Sequence, residues 1–309
     1  MTQDTAWTIV TGASGFVGRH LVAYLRAQGV PVIVVGRDAV RLTEIFDQDG
    51  GLHCASYAYD AAGHFDVAAI LQSAGSTGLL DCVIHLAGVA HQKGAQTADY
   101  EAGIVDLSRA VFTGVAVWAQ QAAHHATIMN LSSIAARDYG TSKRAQLVTY
   151  GRSKRGAEAV LTPLCGPYVS GVSWRAPAIW AADAPGPFRL ITAFIKRQWP
   201  LPFGAIKVKR AYISAQNLVA GFYSAACSLH SSPTHRHDVI EVADGLYDLG
   251  EICTMMAKAH NAKTRIWPVP APVLRYGLRA VGKSDLVDQI FTPLTVSQTD
   301  LQTLLNRTN

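Results

Sequence analysis

Tyr150 and Lys154 stand four residues apart in Tyr150-Gly151-Arg152-Ser153-Lys154, a spacing that sets a phenol and an ammonium on one face of a helix. A tyrosine ionises at about pH 10 unaided, and a cation beside it stabilises the phenolate and brings ionisation toward neutral pH. Such a pair can give a proton to a substrate oxygen or remove one. Tyr139 and Lys143 have the same spacing and compete for the role. After Tyr150, however, Ala157, Val160, Leu161 and Leu164 form an apolar stripe that a packed helix would bury, whereas Gly151 interrupts the pattern after Tyr139. The expectation is Tyr150 and Lys154. Asn130-Leu131-Ser132-Ser133 adds hydroxyls at the end of a strand-like run, where open parallel sheets bind ligands. A serine there orients a substrate oxygen or caps a turn.

The elements that must position these groups alternate through the first half of the chain. Strands are predicted at 7–11, 32–35, 52–57, 82–86, 127–131 and 168–174, with helices at 19–28 and 99–123 among them. That alternation implies an α/β fold, a Rossmann-type doubly wound parallel sheet with helices on both faces. From Ala176 prolines and aromatics become denser and the alternation breaks down. A smaller C-terminal substrate-binding lobe is expected from there, so the division falls at 1–175 and 176–309, with some later segments returning to the first domain. Within that lobe, helices are predicted at 218–226 and 249–259.

Gly12-Ala13-Ser14-Gly15-Phe16-Val17-Gly18 follows the first strand and opens the first helix, the context in which a glycine trio binds a dinucleotide. Gly12 would make the turn, Gly15 would admit a pyrophosphate and Gly18 would let helix and strand pack closely. The helix N-terminus then receives the anion, with Ser14, Phe16 and Val17 beside it. The second strand ends Val34-Val35-Gly36-Arg37 without the acid that would bind a free ribose 2′-hydroxyl. Arg37 pairs naturally with a 2′-phosphate, so NADP(H) is expected over NAD(H). Asp60 could accept a hydrogen bond from the adenine amino group.

Composition narrows the remaining possibilities. Hydrophobic residues make up 49% of the 309, and the net charge of +5 is spread without long runs, which suits an anionic small molecule and carries no nucleic-acid motif. The five cysteines show no CxxC pair, and no metal site is expected. His85 reads as a buried core histidine, and His230 to His237 as a surface loop. No basic-then-apolar leader opens the chain, and no unbroken apolar run is long enough to span a bilayer. The protein is expected in the cytoplasm, without a membrane partner.

Taken together, the glycine loop, Val83-Ile84-His85-Leu86-Ala87-Gly88, the paired serines, Tyr150-Gly151-Arg152-Ser153-Lys154 and Trp174-Arg175-Ala176-Pro177 resemble the extended short-chain dehydrogenase/reductases of the NAD-dependent epimerase/dehydratase family. The resemblance covers nearly the whole chain. It implies Ser133 as the catalytic serine, Leu86, Ala87 and Gly88 along the cofactor, Pro177 near the nicotinamide, and Lys154 on the nicotinamide ribose. Segments 198–205 and 209–213 resemble those that hold the nucleotide in UDP-sugar enzymes, which implies Phe203 and Arg210 as substrate contacts. Of the family's branches, reductases of UDP-4-keto-6-deoxy-N-acetylhexosamines are the most similar. Ile134-Ala135 stand where dehydratases place acidic residues, and Ala178 stands where many 4-epimerases place an asparagine.

The expected reaction is reduction of a nucleotide-sugar C4 ketone. A UDP-hexose 4-epimerase and a non-catalytic dinucleotide-binding regulator remain open. Helices 99–123 and 150–165 resemble those that pair across the family's dimer, so a homodimer is expected.

Overall fold

A computed structural model describes residues 6–46, 52–75, 78–89, 96–138, 145–280, 282 and 284–296. Ten strands occur among them: β1 (Trp7–Thr11), β2 (Val32–Gly36), β3 (His53–Ser56), β4 (Leu80–His85), β5 (Ala126–Ser133), β6 (Val169–Ala176), β7 (Ala178–Trp180), β8 (Arg210–Ser214), β9 (His237–Glu241) and β10 (Gly245–Tyr247). Seven form one parallel sheet in the order β3-β2-β1-β4-β5-β6-β9. Its inner strands are buried on both faces, which is why they read as runs such as Val32-Ile33-Val34-Val35. The result is the expected Rossmann-like α/β sheet.

The edge strand β9 corrects one expectation, because His237 opens it and does not lie in a surface loop. Edge strands keep polar side chains toward water, and His-Asp-Val-Ile-Glu has no apolar run to announce it.

Helices cover the sheet. The first, Phe16–Ala27, buries Gly18, Leu21, Val22 and Leu25, one stripe at helical spacing. The helix Thr97–Gln121 passes through a π-helical segment, Glu101–Asp106, that the apolar pattern did not show. By length and composition it could cross a membrane, yet its Val111, Phe112, Val115 and Ala119 belong to the core beside Ile9, Ile33, Val83 and Ile128. A third helix, Ala145–Leu161, carries Tyr150 and Lys154.

The chain divides into two compact units. Among the described residues, one comprises those up to Ala176 together with Leu218–Glu241, and the other comprises Pro177–Asn217 and those from Val242 onward. The second unit holds a three-stranded sheet, β10-β8-β7, and a core of Ile191, Ile195, Leu201, Tyr212, Ile252, Cys253 and Met256. Its helix Leu249–Ala259 starts at a reciprocal cap in which Asp248 accepts from Glu251 N at 3.0 Å and Glu251 accepts from Asp248 N at 2.6 Å.

Candidate active site

The glycine loop is a cradle that side chains would fill. Gly12 has φ +71°, and a Cβ there would lie 2.6 Å from Ala87 N and 2.7 Å from the Leu86 carbonyl carbon. A Cβ on Gly18 would lie 2.4 Å from Gly12 O. Leu86 N donates to Thr11 O at 3.1 Å, fastening the exits of β1 and β4 together. Gly15 caps the first helix without a side chain, and no acid occupies the first turn. Arg19 Nε donates to Ser14 O at 3.0 Å and pins the loop. Phe16 and Val17 are half-buried in that turn, and Gly88 is exposed. Unpaired N–H groups at a bare, acid-free helix start fit a dinucleotide's pyrophosphate.

Arg37 is exposed just past the end of β2. The nearest acid in sequence, Asp38, is taken by a cap, its Oδ1 accepting from Arg41 N at 3.1 Å. Within reach of the Arg37 charge lies Tyr57, whose ring is 6.1 Å from that of Tyr59 and nearly parallel to it; neither tyrosine was singled out from the sequence. Burial pushes the Tyr57 hydroxyl up to about 12, while a hydrogen bond to Thr11 and the Arg37 charge pull the other way. Asp60 has a structural role of its own, since its Oδ1 accepts from Ala62 N at 2.9 Å and His64 N at 2.8 Å, closing a turn.

Ser133, Tyr150 and Lys154 come together at the C-terminal end of β5. Lys154 Nζ donates to Leu131 O at 2.8 Å and lies 6.0 Å from the centre of the Tyr150 ring. The Tyr150 hydroxyl is hydrogen-bonded to Ser133, whose Oγ also accepts from Ala135 N at 3.2 Å. Burial drives the Tyr150 phenol up to about 12, with the Ser133 bond opposing. Burial likewise lowers Lys154 to about 8, against the pull of Glu158. The site thus holds its tyrosine protonated and its lysine near the edge of ionisation. Gly88 reaches this group too, because a Cβ on it would stand 3.7 Å from Lys154 Nζ. Tyr139 and Lys143, the competing pair, lie outside the described residues.

Three features of this centre were missed or left without a role. The Tyr100 ring packs edge-on against Tyr150 at 6.0 Å. His85 is buried between Thr11 (2.8 Å) and Ser108 (3.2 Å), and burial, followed by the Lys154 charge, lowers it to about 3. Glu158, one turn beyond Lys154, gathers Ser132, Arg155 and Arg175. The spacing of Glu158, four residues after Lys154 and so on the same helix face, was the available signal; Arg175 lies one residue past the strand predicted at 168–174.

In the second unit, Pro177 is buried just before β7. Phe203 packs against the core. Arg210 opens β8 and donates through Nη1 to the Thr292 carbonyl, so part of its guanidinium fork already has a protein partner.

Comparison with known proteins follows the same outline. The model of the NAD dependent epimerase/dehydratase family matches residues 8–240. A search of curated proteins found no match. Among solved structures, a UDP-galactose 4-epimerase is similar over 97% of this chain and 92% of its own, with 16% identity and a TM-score of 0.59. The Bordetella bronchiseptica enzyme WbmG, in complex with NAD and UDP, is similar over 97% and 88%, with 18% identity and a TM-score of 0.62. The human epimerase family protein SDR39U1, with NADPH, is similar over 96% and 93%, with 14% identity and a TM-score of 0.62.

Proposed function

Since this chain belongs to the NAD-dependent epimerase/dehydratase family, we propose that it is a nucleotide-sugar oxidoreductase that reduces the C4 ketone of a UDP-4-keto-6-deoxy-hexosamine with NADPH. The observation that carries the reading is the Ser133–Tyr150–Lys154 group at the end of β5, with Lys154 buried and Ser133 and Tyr150 half-buried, in the same unit as a glycine cradle shaped for a dinucleotide.

Gly12, Ser14, Gly15, Phe16, Val17 and Gly18, with Leu86, Ala87 and Gly88, would hold the dinucleotide, which would supply the hydride when bound. Ser133 orients the ketone oxygen and Tyr150 gives it the proton that completes the alcohol. Tyr150 is suited to this because its buried phenol is fully protonated at neutral pH. The proton leaves a phenolate, which the Lys154 ammonium stabilises. Arg37 recognises the 2′-phosphate through charge-assisted bonds, while one oxygen of the neighbouring Asp38 is engaged in a helix cap. Asp60 and the Tyr57–Tyr59 stack flank the adenine end. Support for a UDP-sugar comes from WbmG, solved with UDP, and from Phe203 and Arg210 in segments that resemble nucleotide-holding ones.

Incubation of the protein with NADPH and a UDP-4-keto-6-deoxy-N-acetylhexosamine tests this. Stoichiometric NADPH oxidation with formation of the 4-hydroxy sugar is expected. A second reading, 4-epimerisation, is favoured by the likeness to UDP-galactose 4-epimerase. It requires turnover of a UDP-hexose with no net cofactor consumption. Cofactor binding with neither activity would leave only a regulatory dinucleotide-binding role.

A further inference from the structure

We propose that Glu158 is the positioning residue of the reactive trio: its carboxylate ties the helix carrying Tyr150 and Lys154 to the strand end carrying Ser133 and to Arg175 of β6. The inference deepens the functional reading above and rests on it.

Four hydrogen bonds saturate the carboxylate. Oε1 accepts from Ser132 Oγ at 2.6 Å and Arg175 Nε at 2.9 Å, and Oε2 accepts from Arg175 Nη2 at 2.7 Å and Arg155 Nη1 at 3.1 Å. The Glu158 side chain is 3% exposed and that of Arg175 10%. Desolvating two charges costs enough that an apolar pair of similar volume commonly serves stability as well or better. A pair retained with every lone pair used is therefore better explained by what it places.

What it places is local and specific. Ser132 lies between Leu131, which accepts from Lys154 Nζ at 2.8 Å, and Ser133, which is bonded to Tyr150. The helix thus grips β5 twice, one turn apart, through Lys154–Leu131 and Glu158–Ser132. Both grips fall on the residues just before the catalytic hydroxyl. Displacing either moves Ser133 relative to Tyr150, and misplacement of about 1 Å can cost about 100-fold in rate.

The carboxylate also acts on charge. Lys154 faces Tyr150 and Glu158 on its own helix and His85 from β4. Glu158 faces Arg155 on its helix, Ser132 from β5, Arg175 from β6 and His237 from β9. His85 is held neutral by burial. Glu158 is thus the negative charge that opposes burial and keeps the Lys154 ammonium protonated.

The test is an NMR titration of full-length protein labelled with 13C at lysine and tyrosine. Lys154 and Tyr150 are assigned through Lys154→Arg and Tyr150→Phe, and kcat and KM for the 4-keto sugar are measured alongside. Glu158→Gln keeps the shape and removes the charge, so Lys154 should titrate about one pH unit lower, with kcat down about 10- to 100-fold and KM little changed. Ser132→Ala keeps the charge, so the Lys154 titration should stay in place while the Tyr150 resonance shifts and kcat falls by about 10-fold. A folded Glu158→Gln protein with an unmoved Lys154 titration overturns the proposal. If Glu158→Gln fails to fold, an unshifted Tyr150 resonance in Ser132→Ala overturns it. If the wild type turns over no nucleotide sugar, the functional reading fails, and the two resonances still decide the role of Glu158.

Discussion

Among the described residues, the most buried ion pair of the first unit and the closest ion pair of the second sit in opposite surroundings. In the first, Lys154, Glu158 and Arg175 are buried, each tied to protein partners. In the second, Lys209 and Glu251 pair at 2.6 Å with side chains 47% and 46% exposed, and Lys207 approaches Asp248 at 3.8 Å from the surface. A surface pair is screened by water and salt and contributes little. A buried charge is tolerated only where every bond is made, so its presence marks where geometry matters. Arg37 differs from these three buried groups. It is exposed at a strand end, where the proposed contact with a 2′-phosphate would need it.

Arg175→Met should break this contrast most severely, because it strands a buried carboxylate. A loss of about 3 to 5 kcal/mol is expected in denaturant unfolding. Adding Glu158→Leu should restore most of that stability without restoring turnover, which separates holding the fold together from placing the trio. Arg37→Ser should weaken NADPH binding about 10- to 100-fold and leave NADH nearly unchanged, as fits one charge-assisted contact. If the unmutated protein binds NADH as tightly as NADPH, the phosphate role of Arg37 is wrong.

A further effect depends on pH. Burial raises the Glu158 carboxyl, but hydrogen bonds from Arg175 and Ser132 and the Arg175 charge overcome it and hold it below 4.5. The stabilisation it brings is therefore complete above that value and disappears as pH falls through its lower native value. The urea midpoint should decline with acidification in the wild type and less steeply in Glu158→Gln. The smallest effect belongs to the surface pair. Lys209→Ala should leave the melting temperature unchanged, and a large drop would erase the distinction between the two units.

Much of the fold was legible because its signals are local. β1 was placed at 7–11 and the helix at 249–259, where an apolar run and an Asp248–Glu251 cap mark them. Tyr150 and Lys154 were legible because helical spacing alone brings them to one face. The Glu158–Arg175 pair was not, since the partners are 17 residues apart and only the parallel pairing of β5 with β6 carries Arg175 to the helix. The π-helical stretch Glu101–Asp106 and the edge strand β9 were hidden for a related reason. Each is fixed by what packs beside it, and its own sequence carries no period that would reveal it.

The central claim, that Tyr150 is the acid of a Ser133–Tyr150–Lys154 group, is tested most directly by Tyr150→Phe beside Tyr139→Phe. Both variants are assayed for NADPH-dependent reduction of the 4-keto sugar and for NADPH binding. Tyr150→Phe should bind NADPH normally and lose about 100- to 10,000-fold in kcat, while Tyr139→Phe retains turnover. Retained turnover in Tyr150→Phe, with loss in Tyr139→Phe, would contradict the account.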